Sequence, residues 1–215
     1  MNSHGEIAPN AHGLPVLTDA AQYRQQVAHD PAQELVNLAD FIPGLVVDVR
    51  YATPENFFGQ QLYTEATAYL RRPVAEALQD AQAELNGLGF GLKVLDAYRP
   101  YSVTVRMFEA VPNETYAAPP WRGSRHNRGC SVDATLVDLH TGQELPMPTV
   151  FDDLSPQAHS DYTNLPADVL RNRAALHRAL SRHGFVNYPA EWWHFDHASW
   201  ANYPLLDLPF AALKG

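Results

Sequence analysis

The chain has 215 residues, 46% hydrophobic and 18% charged, and its 15 Lys and Arg against 24 Asp and Glu give a formal net charge of −9. That length suits one compact domain with a buried core, while the acidic balance, without any basic cluster, argues against nucleic acid as a partner. No apolar run reaches the ~20 residues of a bilayer-spanning helix, and a lone cysteine, Cys130, excludes an intrachain disulfide.

Met1 to Leu14, with His4, Glu6 and Pro9, shows neither the basic start nor the apolar centre of a signal peptide. The compartment expected is the cytoplasm, with the periplasm as the alternative if a signal peptide has been removed. Residues 1–35 are polar and are expected to form an N-terminal arm with one short helix, leaving 36–215 as the folded domain. The first strand is expected at 45–51, β-branched and bounded by Pro43-Gly44 and Pro54. Pro73 opens a helix along which Val74, Leu78, Ala81 and Leu85 share one face, and Gly87 or Gly89 stops it.

A second strand at 91–97 runs into Tyr98-Arg99-Pro100, followed by a short helix at 101–110 and a Pro-rich loop at 112–123. The third strand is 130–139, turned by Thr141-Gly142. Beyond a loop at 145–165, a long helix at 167–183 carries Val169, Arg173, Leu176 and Leu180 down one side and stops at Gly184. An aromatic strand at 191–197 comes last. Strands and helices mix without strict alternation, which predicts an α+β fold, a mostly antiparallel central sheet flanked by helices.

Two segments put polar residues where a core would not. These are Ser124-Arg125-His126-Asn127-Arg128-Gly129-Cys130-Ser131-Val132-Asp133 and Glu191-Trp192-Trp193-His194-Phe195-Asp196. His126, Asp133 and His194 make a three-ligand zinc set that leaves a fourth position for water. Strand alternation puts Ser131, Asp133 and Thr135 on one face and Cys130, Val132 and Ala134 on the other, so Cys130 packs as a small hydrophobe and is no ligand. Glu191 and His194 are three apart and cannot share a face of one ideal strand. Either the segment is a helical turn or Glu191 lies in irregular backbone ahead of the strand. The aromatic run 192–195 favours strand and Pro189 a bend before it, so Glu191 is placed on the entry turn as an acid/base group. Pro100 forces extended backbone at Arg99, whose guanidinium there would bind a carboxylate or a developing oxyanion. Pairing with Asp96 or Asp48 is the competing use for it.

These residues resemble those of the D-alanyl-D-alanine dipeptidases of the VanX type, in the zinc peptidase group that includes lysostaphin and the D-Ala-D-Ala carboxypeptidases. The resemblance runs from about Phe41 to Tyr203. It takes in Asp48-Val49-Arg50-Tyr51-Ala52-Thr53 with Asn56-Phe57, then Asp96-Ala97-Tyr98-Arg99-Pro100. Ser124-x-His126-x-x-Gly129-x-x-x-Asp133, Phe151-Asp152 and Glu191-Trp192-Trp193-His194 complete it. It implies one zinc per chain held by His126, Asp133 and His194 in a cleft on the sheet, with Glu191 as catalytic base and Arg99 stabilising the transition state. Ser124 would line the substrate pocket, and Asp152 would stand near the substrate's free ammonium. The activity implied is hydrolysis of D-Ala-D-Ala to two D-alanines. The partner is thus a small dipeptide, with no nucleic acid and no membrane, and the oligomeric state is left open. Competing readings are a peptidoglycan D,D- or L,D-carboxypeptidase or endopeptidase, and a zinc-containing binding module without catalysis. The pairing of Glu191 with Arg99 argues against the last, since a pure binder needs neither.

Overall fold

The computed structural model describes residues 7–214. The first six residues of the expected arm, His4 and Glu6 among them, lie outside that range. In chain order the elements are β1 (Val16–Leu17), α1 (Ala20–His29), β2 (Leu35–Asn37), α2 (Leu38–Phe41), β3 (Val46–Val47), β4 (Tyr69–Arg71) and α3 (Arg72–Asn86). There follow β5 (Phe90–Asp96), α4 (Tyr101–Ala110), β6 (Ser131–Asp138), α5 (Ala167–Arg182), β7 (Phe185–Asn187), β8 (His194–His197) and β9 (Leu205–Leu206).

The main sheet has the strand order β3-β5-β6-β8-β7. Only β3 and β5 run parallel; every other pair is antiparallel. Helices α3 and α5 pack on each other and against β5 and β7. The buried side of α3 is the expected stripe, Val74, Leu78, Ala81 and Leu85, joined by Ala75 and Gln82. Gln82 lies in that apolar stripe because its Oε1 accepts from the Leu92 N–H at 2.6 Å, so the burial of a polar group is compensated.

Two small pairs fasten the ends of the chain. β1 runs parallel to β9, and β2 is antiparallel to β4. Helix α1 begins at Asp19, whose carboxylate accepts from the Ala21 and Gln22 N–H groups, and it buries Tyr23, whose hydroxyl in turn accepts from Leu35 N–H at 2.7 Å.

Two strands are shorter than the sequence suggests. Of 45–51 only Val46–Val47 pairs, as an edge strand; Arg50–Ala52 is a helical turn that buries Tyr51. The carbonyl of Tyr51 is taken up there by the Leu62 and Tyr63 N–H groups instead of a neighbouring strand. In the 191–197 stretch the strand begins only at His194, and Trp192 and Trp193 are fully buried in the turn before it.

The sheet register is what assembles the site. Val94 of β5 faces Ala134 of β6, but the next partners are Asp96 and Asp133, because a bulge takes up one residue. On the other side Asp133 faces His194 and Ser131 faces Asp196. Residues directly opposite one another in a ladder point to the same side. Asp96, Asp133 and His194 therefore stand in a row across three strands, with Ser131 and Asp196 in the next row.

Candidate metal centre and active-site cleft

Above that row lies a cleft of about 470 Å³ whose lining includes Arg99, His126, Asp133, Asp152, Glu191 and His194. The seven residues singled out from the sequence all line it, Ser124 being the seventh. Each reaches the cleft for a local reason.

His126 sits on a one-turn helix, His126–Arg128, ended by Gly129 in the left-handed region at φ 68°. Glycine suits that position, since any side chain would be strained at that φ and an added Cβ would lie 2.4 Å from Leu35 Cδ2, which would have to shift. The ring is aimed by the Ala97 carbonyl, 2.6 Å from Nδ1. That acceptor keeps the proton on Nδ1 and turns an unprotonated Nε2 toward the cleft. The same turn is stitched to the end of β5, since Arg99 N–H donates to the His126 carbonyl and Asn127 Nδ2 to the Arg99 carbonyl.

His126 Nε2 lies 3.1 Å from His194 Nδ1 and 3.5 Å from Asp133 Oδ1. His194 Nδ1 lies 2.9 Å from the same Asp133 oxygen. Ligands 2.0–2.1 Å from a tetrahedral zinc stand about 3.3 Å from one another, so this triangle has the size of one face of such a polyhedron. Among the described residues these three are the group of His, Cys, Asp and Glu side chains able to hold a metal ion. Two imidazoles and a carboxylate suit zinc in hardness, and three ligands leave a place for water. Burial alone would raise the Asp133 carboxyl, but the neighbouring His126 and His194 outweigh it and hold Asp133 well below the usual carboxylate range.

Glu191 occupies the turn between β7 and β8, its Oε2 3.9 Å from His194 Nδ1. The turn is held from within the fold. Asn187 Nδ2 donates to the carbonyls of Glu191 and His194, and His177 Nε2 lies 2.9 Å from the Trp192 carbonyl. Burial lifts the Glu191 carboxyl to about 7, with His194 opposing and Asp133 adding to the rise. A base poised there is matched to neutral pH.

Arg99 pairs with Asp96 without leaving the cleft. It donates to Asp96 Oδ2 from Nε at 3.1 Å and Nη2 at 2.7 Å, yet it remains in the cleft wall, 4.0 Å from Asp133 Oδ2. Asp48 pairs instead with Arg50 and Lys93. Ser124 Oγ accepts from His126 N–H at 3.2 Å, so it shapes the turn as well as lining the cleft.

Asp152 is the one non-glycine described residue with a positive φ, 62°, a conformation Asp tolerates better than most. Both of its carboxylate oxygens lie 3.0 Å from the Tyr51 hydroxyl. Burial, and after it the charge of Asp133, pushes this carboxyl well above its ordinary value. It is a half-buried acid short of a cation.

Sequence reasoning gave no role to two residues of the site, Tyr51 and Asp196, and offered Asp96 only as one of two alternative partners for Arg99. Asp96 anchors Arg99, Tyr51 holds Asp152, and Asp196 Oδ1 lies 3.1 Å from His194 Nε2. Asp196 was legible in principle, since residues i and i+2 of a strand share a face.

The chain matches the peptidase M15 family model, described as D-Ala-D-Ala dipeptidase, over residues 31–210. It is 35% identical over 173 residues to a D-alanyl-D-alanine dipeptidase of Escherichia coli, covering 80% of this chain and 89% of that one. It is 30% identical over 193 residues to one of Enterococcus faecalis, with 80% and 92% covered. Among solved structures it is similar to VanYB in complex with D-alanine-D-alanine, at 14% identity and a TM-score of 0.41, over 63% of this chain and 75% of that chain.

Proposed function

The chain belongs to the D-Ala-D-Ala dipeptidase family of M15 peptidases, zinc metallopeptidases, and from that premise we propose that its cleft hydrolyses free D-Ala-D-Ala to two D-alanines. His126, Asp133 and His194 would hold one zinc per chain, through Nε2, Oδ1 and Nδ1 respectively. Bound there, zinc supplies a Lewis acid for the scissile carbonyl and lowers the pKa of a coordinated water toward ~7.

The remaining chemistry belongs to the side chains. Glu191 takes the proton of the attacking water and returns it to the leaving amine, a general base that becomes a general acid. Arg99 balances the negative charge that grows on the carbonyl oxygen. Because Asp96 fixes its guanidinium in advance, little reorganisation is needed as that charge forms. Asp152 receives the substrate's ammonium, and Ser124 stands on the pocket wall for the other end.

The observation that carries a dipeptidase over a longer-chain peptidase is Asp152. A half-buried carboxyl with a hydroxyl partner and too little positive charge beside it is completed by a free amine and left wanting by a blocked one. Residues 36–215 form the catalytic domain in this reading and 1–35 the arm. The cytoplasm is the proposed compartment, to be checked by fractionation. No helix among the described residues is long and apolar enough to cross a membrane.

The test is alanine release from D-Ala-D-Ala by zinc-loaded protein, beside L-Ala-L-Ala, N-acetyl-D-Ala-D-Ala and a peptidoglycan pentapeptide, with Glu191→Ala as control. Cleavage of the free D,D-dipeptide alone, lost in the variant, is the expected result. Cleavage of the blocked or longer peptides instead would remove the ammonium role of Asp152 and make this a cell-wall peptidase. Zinc binding without turnover of any substrate would leave a binding module.

A further inference from the structure

We propose that Asp196 is a positioning residue for His194, fixing through its Oδ1 the ring orientation that presents Nδ1 to the metal, and that Ser131 and Arg125 hold Asp196 in place for this. The inference rests on the metal-site reading above and adds to it a residue outside the ligand set.

The geometry begins with the ladder. With Asp133 opposite His194 and Ser131 opposite Asp196, four polar side chains form a square on one face of β6 and β8. His194 touches both carboxylates of the square. Nδ1 is 2.9 Å from Asp133 Oδ1, and Nε2 is 3.1 Å from Asp196 Oδ1. A ligating imidazole is neutral and carries one N–H. An anionic acceptor at Nε2 keeps that hydrogen there and leaves the Nδ1 lone pair for the cleft, where His126 Nε2 waits 3.1 Å away. The two imidazoles therefore use opposite nitrogens and need different orienting acceptors. His126 has the Ala97 carbonyl; His194 has Asp196.

Asp196 is itself held on both oxygens. Ser131 Oγ donates to Oδ1 at 2.6 Å, while Arg125 Nη1 donates to Oδ2. The guanidinium of Arg125 lies over the Trp200 ring, 4.6 Å from its centroid, which restricts it further. Asp196 is buried whereas the Arg125 side chain is 45% exposed, so the arginine closes the outer end of the assembly. This division of labour separates the proposal from a simple ion pair. Pairing with Arg125 needs only Oδ2, and nothing in that pairing requires Oδ1 to meet both Ser131 and the ring.

The experiment is zinc affinity by chelator competition on folded, metal-free full-length protein, with D-Ala-D-Ala turnover measured in parallel. Wild-type protein that takes up no zinc would refute the metal-site reading and the inference with it. Given zinc binding by the wild type, Asp196→Ala is expected to raise the zinc dissociation constant ten- to a hundred-fold. Asp196→Asn, which retains one acceptor oxygen, should raise it less, and it carries the measurement if the alanine variant does not fold. Long-range 15N–1H spectra should show the His194 hydrogen on Nε2 in zinc-loaded wild type, with that preference weakened in the variants. A zinc dissociation constant within about threefold of wild type, alongside a lowered unfolding midpoint, would overturn the proposal. Asp196 would then only neutralise Arg125.

Discussion

The guanidinium of Arg99 is tied by two donors to a single oxygen of Asp96, 3.1 Å from Nε and 2.7 Å from Nη2, while one face of it lies over the Tyr51 ring. Asp96 is fully buried, and its other oxygen accepts from the Tyr63 hydroxyl at 2.8 Å. The bulge in β5 is what swings Asp96 onto this side of the sheet. The cation proposed for the developing oxyanion is thus held by a residue that does not line the cleft.

Asp96→Asn should therefore damage both stability and rate. Removing one charge of a buried pair leaves the other uncompensated, a loss of about 3–5 kcal/mol, to be read from urea unfolding of the metal-free protein. The freed Arg99 loses its aim, and kcat should fall by up to roughly 10²–10³-fold, the range for losing one oxyanion donor. If kcat is unchanged in the folded variant, Arg99 is not the group that meets the oxyanion.

Gly129→Ala should destabilise the turn that bears His126. The residue has φ 68°, and the new Cβ would meet the buried Leu35 side chain at 2.4 Å. Backbone strain of this kind costs of order 1–3 kcal/mol, and the clash adds to it. Because Arg71 N–H donates to the Gly129 carbonyl, a shift of the turn also disturbs β4. Thermal unfolding with and without zinc is the measurement. A loss of stability is expected in both, with a smaller gain on adding zinc than in the wild type.

Much of this was legible before the structure. The apolar stripe of α3 and the alternation along β6 are periodic over enough residues to fix their faces, which put Asp133 toward the cleft and Cys130 away from it. The three-residue spacing of Glu191 and His194 favoured a turn ahead of β8, and a turn is what lies there. Strands β1, β2, β4, β7 and β9 were not foreseen, because two or three residues show no period; they are set by the strands they pair with. The contact of Asp152 with Tyr51 spans 101 residues, and no local pattern encodes it. Asp152 was singled out only through the family resemblance; its Tyr51 partner emerges once the fold brings the two together.

Cys130 should be inert in the native protein. It is fully buried, and burial pushes its thiol up to about 12, more than Arg71 and Arg128 pull it down. Since the thiolate is the reactive form, iodoacetamide at pH 8 should leave the folded protein unlabelled over a period that labels it fully in strong denaturant. Rapid labelling without denaturant would mean that the segment between His126 and β6 opens easily. The proposed ligand His126 would then sit on a mobile turn.

His177 makes part of the stability depend on pH. Its ring is packed against Phe195 and bonds to the Trp192 carbonyl in the turn that carries Glu191. Burial lowers its pKa, the carbonyl bond opposes this, and Arg173 lowers it further. A depressed histidine favours the unfolded chain once protons are available. Above about pH 6.5 both states are neutral at this site and its contribution to stability is complete. As the pH falls below that value the unfolded ring binds its proton first, and stability is lost until the folded ring titrates as well. His177→Gln can still donate to the Trp192 carbonyl but cannot titrate. Urea unfolding of the metal-free proteins at pH 7.5 and 5.5 should show a larger fall for wild type than for the variant. Equal falls would mean that the His177 ring is protonated alike in both states, and the Glu191 turn would then owe none of its acid sensitivity to this residue.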